Sequence, residues 1–259
     1  RSATNERLDL ASGSAGAGLW EINLDDSKMW LTDQARQVAL RLPMKARNQS
    51  AVANQEIKNP SDTCKLIAEI SARLMRASTE TLDEEILCAL KDCLEPLGVD
   101  RGGLLEVAAD SPVIKFSHIW FAEGVMPVSG ELNLAEIYPW TYQQLVVLGK
   151  DVITSSVEDL PPEAQVDRQT LLAFGIKSAV TVQLFIDQRV HYLLAINALE
   201  DECDWSDEIV EHLRQLGEIF VSALQRREAE IDLCATKERL DLAAASAEAG
   251  LWELDIASG

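Results

Sequence analysis

The sequence predicts an α+β fold: a mostly antiparallel sheet with helices on its faces and a long C-terminal helix. Three observations carry that prediction. Strand and helix patterns are mixed along the chain without regular βα alternation. Two apolar runs, Ala179–Ile186 and Val190–Leu199, are joined by Asp187-Gln188-Arg189 and read as an antiparallel hairpin. After Ser206, apolar residues recur every three or four positions over many turns, the signature of one long helix.

The elements follow in order. Gly18–Leu24 reads as a strand, Asp25-Asp26-Ser27 as a turn, and Met29–Leu31 as the returning strand. Gln34–Leu42 reads as a short helix stopped by Pro43, and the polar stretch 44–58 as a helical connector. Asn59-Pro60-Ser61-Asp62 is a helix-entry signal, with Leu66, Ile70 and Leu74 at helical spacing behind it. Thr81 and Glu84 form a capping-box pattern. Ile86, Leu90, Leu94 and Leu97 then make a second apolar stripe that Gly98 closes.

Strands are expected at Leu104–Ala108 and Val113–Phe121, the second placing Ile114, Phe116, His118 and Trp120 on one face. Gly124-Val125-Met126-Pro127 breaks that strand. A helix over Leu134–Leu145 is interrupted near Tyr138 by Pro139. Val152-Ile153-Thr154 is a brief strand, and Pro161-Pro162 opens a helix that Gly175 ends. Ser206 caps the long helix, with Asp207 and Glu208 complementing its dipole. Along it Ile209, Leu213, Leu216, Phe220 and Ala223 alternate in steps of four and three. That is coiled-coil-like spacing and predicts a homodimer seam, although packing on the chain's own sheet explains the front part. No strong breaker intervenes before about Ala249.

Composition narrows the function classes. A net charge of −20 repels nucleic acid and anionic lipid, so neither is an expected partner. No apolar run approaches the roughly 18–20 residues of a membrane span. Five cysteines, an odd count without a C-x-x-C pair, fit a reduced cytoplasmic compartment and no zinc site.

Residues 4–21, TNERLDLASGSAGAGLWE, return at 236–253 as TKERLDLAAASAEAGLWE. The same module therefore begins twice. With Arg1 in place of an initiating Met, this predicts a window of a longer modular polypeptide.

LGVDRGGLLEV at 97–107, YPW at 138–140, DLPPEAQVDRQTLLAFGIKSAVTVQL at 159–184 and WSDEIVEHLRQLGEIFVSALQRREAE at 205–230 together resemble a GAF domain of bacterial sensor histidine kinases. The repeated segment resembles the opening of a PAS domain, with Trp20 and Trp252 in equivalent places. The resemblance implies a GAF-like fold with partial PAS segments at both ends. Its domains would be a PAS-like segment at 1–43, a connector at 44–61, a GAF domain at 62–230, and a linker helix with the start of a second PAS at 231–259.

It further implies the sensory input region of a two-component sensor kinase, relaying a ligand or partner state through a dimeric helix to a kinase downstream in the same chain. The same array serves cyclic-di-GMP synthases and transcription activators, which is the alternative. A stand-alone enzyme is disfavoured, since no nucleophile–base or metal constellation is found. His212 lacks the context of a phosphoacceptor and reads as an exposed helix residue. Asp207-Glu208 matches one part of a cyclic-nucleotide signature, but residue 203 is Cys and Asn197 is followed by Ala. Photoreceptor GAF domains hold a bilin on a cysteine in a particular motif, and none of the five has that context. The cofactor is therefore left unnamed.

For a small-molecule pocket, the candidate wall is Phe116, His118 and Trp120 on one strand with His191 and Asn197 on another. A neutral imidazole there can ligate haem iron or orient a ligand. The simpler account of His118 is a core histidine satisfied by its neighbours.

Overall fold

In the computed structural model the described residues are 20–23, 28–31, 60–108, 111–125, 127–128 and 130–246. The chain divides into two compact units, 1–49 and 50–259. In the first, β1 (Trp20–Asn23) and β2 (Lys28–Leu31) pair antiparallel, Trp20 opposite Leu31, as the sequence predicts. The helix expected at 34–42, the connector at 44–58 and the second repeat beyond Ser246 lie outside the described residues.

The second unit is built on a six-stranded antiparallel sheet, ordered β5-β4-β3-β8-β7-β6. Its strands are β3 (Arg101–Val107), β4 (Val113–Phe121), β5 (Glu131–Asn133), β6 (Val152–Thr154), β7 (Ser178–Ile186) and β8 (Arg189–Ala198). The short edge strand β5 is absent from the sequence reading. The β7–β8 hairpin closes on Asp187 and Gln188, both with positive φ (49° and 65°), the geometry a two-residue type I′ turn requires.

One face carries α1 (Pro60–Arg76), α2 (Leu82–Leu94) and α6 (Asp207–Ser246). Ile70 and Leu74 of α1, Ile86 and Leu90 of α2, and Leu216 and Phe220 of α6 meet Leu104, Val182, Leu194 and Ile196 of the sheet, all at most 2% exposed. Gly217 lets α6 approach closely, since a Cβ there would lie 2.5 Å from Leu184 Cδ2. The Ser206 cap is present, its hydroxyl accepting from Ile209 N at 3.3 Å. The Thr81 cap is not. Thr81 Oγ1 instead accepts from Ser78 N, so the turn before α2 holds that hydroxyl rather than the helix.

The opposite, distal face is covered by shorter pieces: α3 (Leu134–Ile137), α4 (Pro139–Tyr142) with a following π-helical turn to Val147, and α5 (Gln165–Ala173). The break between α3 and α4 falls at Tyr138, as Pro139 dictates. A buried carboxylate fastens this cover. Asp167 of α5 is 1% exposed and accepts from Trp140 N (3.1 Å) and Thr141 N (2.8 Å), satisfying amides that open α4.

Candidate functional site

The distal face is built in rows across four strands. The first row is Phe121, Arg101, Asn197 and Ala179, and the second is Ile119, Gly103, Ala195 and Thr181. The third is Phe116, Leu105, Leu193 and Gln183. The third row is closed: Leu193 is fully buried and Gln183 donates its amide to Leu145 O. In the first two rows every residue but Gly103 is only half-buried, although these strands form the middle of the sheet and helices lie above them. The small residues Ala179, Thr181 and Ala195 share this face with Tyr138 and Trp140, which bridge the two apolar clusters there. This half-buried strip, with small residues on the sheet and aromatic residues in its cover, is the candidate cleft.

Its polar groups are Arg101, Asn197, Thr181 and Tyr138. Burial lowers the pKa of the Arg101 guanidinium, opposed by Tyr138 and Asp100. Burial likewise pushes the Tyr138 phenol up, with Arg101 pulling it back. Arg101 was not anticipated from the sequence. The available signal was a cation opening a strand, Arg101–Val107, whose next four residues are apolar or glycine.

The predicted pocket wall does not form one surface. The pairing of β3 with β4 shifts between Leu104 and Leu105, leaving Ser117 as the extra residue of a β-bulge. Ile114 and Phe116 therefore face the distal side, while His118 and Trp120 turn to the helical side. Gly103 marks the crowding: a Cβ there would lie 2.0 Å from the carbonyl oxygen of His118. His191 is the extra residue of a second bulge, in β8, and pairs with no residue of β7. Of the five predicted wall residues, Phe116 and Asn197 lie on the distal face.

His118 is 7% exposed and held at both nitrogens, by Ser117 Oγ at 2.8 Å and by Asp83 Oδ1 at 2.9 Å. Asp83, in the first turn of α2, also pairs with Arg227 of α6. Burial raises the Asp83 carboxyl, but hydrogen bonds from His118 and Arg227 outweigh it and hold the pKa below its ordinary value. Next to it Arg226 donates to Leu74 O (3.0 Å), Met75 O (2.6 Å) and Ala77 O (3.0 Å), capping the C-terminal end of α1. Residues 226–230 of α6 are thus latched to the α1–α2 turn and, through Asp83, to β4.

The predicted dimer seam is corrected here. Leu213, Leu216, Phe220 and Ala223 are at most 8% exposed within a single chain, and Ile209 packs beside them, so the sheet and α1–α2 occupy that stripe. Beyond the latch α6 leaves this packing. Ile231, Leu233 and Leu240 are 51%, 70% and 59% exposed. His212, read as exposed, is half-buried with Nδ1 shielded from water.

No protein-family model matches the sequence, and no curated protein does. Solved structures do match the architecture. The phycoerythrobilin-bound GAF domain of a cyanobacterial phytochrome superposes with a TM-score of 0.54 at 17% identity, over 66% of this chain and 98% of that one. The fold is GAF-like. A phycocyanobilin-bound GAF domain of a cyanobacterial phytochrome agrees in the same GAF-like core, with a TM-score of 0.52 at 18% identity over 63% of this chain and 94% of that one. A bacteriophytochrome of R. palustris gives 0.55 at 13% identity, over 72% of this chain and 42% of its own. Among the described residues no helix is long and apolar enough to cross a membrane.

Proposed function

We propose that this chain is the sensory, signal-transducing input region of a two-component sensor histidine kinase. In this reading the GAF-like body at 62–230 binds a small molecule in the distal cleft. Partial PAS modules flank it at 1–43 and 231–259, joined by the connector at 44–61. Binding is reported through α6 to a kinase further along the same cytoplasmic polypeptide. The observation that carries this reading is the latch at residues 226–230, where one helix is tied to the sheet just before it departs from the body. A stiff helix so anchored passes a small displacement at the sheet to its far end. Exposed Ile231, Leu233 and Leu240 favour dimerisation through this departing segment rather than through the buried stripe before it.

The ligand in this reading is not a thiol-linked bilin. Cys64, Cys88 and Cys93 lie on α1 and α2, Cys203 packs with the helical side, and Cys234 is on the departing part of α6. Burial also raises the Cys93 thiol to about 12 and the Cys203 thiol to about 11, leaving both protonated.

The test joins the 259-residue chain to a histidine-kinase catalytic module and inserts one to four alanines after Glu230. Autophosphorylation is expected to rise and fall with helical phase, repeating after about 3.6 residues. A response that is flat across the series removes the relay.

A further inference from the structure

Arg101 and Asn197 are direct cross-strand partners on β3 and β8. Paired residues on one face stand about 5 Å apart at Cβ, close enough for both side chains to reach one small group. Both are half-buried, and Tyr138 lies near enough to Arg101 for the two to interact electrostatically. Their side chains make no hydrogen bond or ion pair with any described residue, and their polar atoms are not sealed from solvent. The Tyr138 hydroxyl is in the same position. Asp100, the nearest acid in sequence, is engaged elsewhere: its Oδ2 accepts from Leu199 N (2.6 Å) and Glu200 N (3.3 Å).

Several buried polar groups in this domain are paired. Asp167 accepts two amides, His118 is bonded at both nitrogens, and Ser178 joins Thr154 O to Trp205 Nε1. A desolvated cation without a partner is costly and is retained where something else neutralises it. Arg101 is such a cation, half-buried on the distal face.

We propose that Arg101, with Asn197 and Tyr138, anchors the carboxylate of a small organic acid whose apolar body lies over Ala195 and Thr181. This rests on reading the cleft as the ligand site. The guanidinium fork matches the two oxygens of a planar carboxylate, and the Asn197 amide and Tyr138 hydroxyl are further donors on the same face. One cation balances one negative charge. A phosphate monoester, carrying nearly two, is poorly matched in a chain whose net charge is −20. The small residues on the sheet and the aromatic residues of the cover suit a flat hydrocarbon body.

The test titrates the full chain with sodium benzoate and sodium phenylacetate at fixed ionic strength. Benzamide serves as the neutral control and phenyl phosphate as the competing anion. Thermal midpoint and tryptophan fluorescence are followed in the wild type, Arg101→Gln, Arg101→Lys and Asn197→Ala. At least one of the two acids is expected to raise the wild-type midpoint while benzamide does not. Arg101→Gln should abolish that shift. Arg101→Lys, which keeps the charge without the fork, should weaken binding by about tenfold or more, and Asn197→Ala by less. Should Arg101→Gln fail to fold, the lysine variant decides: unchanged acid binding there overturns the anchor.

Benzamide stabilising wild type and Arg101→Gln alike would overturn the anchor and leave the cleft as a ligand site. Phenyl phosphate acting where the acids do not would overturn the carboxylate assignment. Silence from every probe would overturn both the anchor and the cleft reading.

Discussion

The two faces of the central sheet are packed to different degrees, and the difference separates what stabilises this domain from what is available for binding. On the helical face, α1, α2 and α6 bury their apolar stripes so completely that Phe220, Leu90 and Leu104 have no exposed surface. On the distal face the cover is made of short helices, α3 and α4 being single turns with α4 held by Asp167 of α5, and mid-strand residues such as Ala195 and Thr181 stay half-buried. A close-packed layer fixes the α6 position, whereas a loosely filled one accepts a guest without opening the core.

This comparison is testable by perturbing each side in turn. Phe220→Ala should cost the most, about 3–5 kcal/mol in denaturant unfolding, because α6 cannot collapse onto the cavity. Gly217→Ala adds one methyl on the same side, where Leu184 is only 1% exposed, and should cost about 1–3 kcal/mol. Ala195→Val adds two methyls on the distal side and should change stability by no more than about 0.5 kcal/mol, since Ala195 is only half-buried there. Equal costs for Gly217→Ala and Ala195→Val would mean the two faces are packed alike.

Much of this architecture is legible in the sequence, and the illegible parts have physical causes. Strand β4 appears with its exact ends because its alternation is strong, and Pro139 places the α3–α4 break unaided. The bulge at Ser117 leaves no trace. Ile114, Phe116, His118 and Trp120 keep an unbroken period of two in sequence while one unpaired residue reverses the strand's facing. The α6 stripe has the opposite fault: its periodicity is real, but spacing alone does not distinguish a partner helix from the chain's own sheet. Three-residue β5 offers too little pattern to read. Asp167 and Arg101 look like ordinary surface charges in sequence, and only the covering layer makes them part of a site.

The latch gives the subtlest prediction, because it lies at the rim of the close-packed face. His118 and Arg227 hold the Asp83 carboxyl below its unfolded value near 3.8. A lowered folded-state value means that the latch contributes its stability above that pH and loses it as pH falls through the folded value. Asp83 is 58% exposed on its side chain, so solvent screening limits the contribution to a few tenths of a kcal/mol. The difference in stability between wild type and Asp83→Asn should therefore be small, and should shrink as the pH falls below about 4. Amide exchange is the more sensitive readout. Asp83→Asn at pH 7 should speed exchange around residues 226–230 of α6 while leaving amides near Phe220 unchanged. Faster exchange at Phe220 as well would mean that Asp83 supports the packed layer itself, and the latch would no longer be separable from the core beneath it.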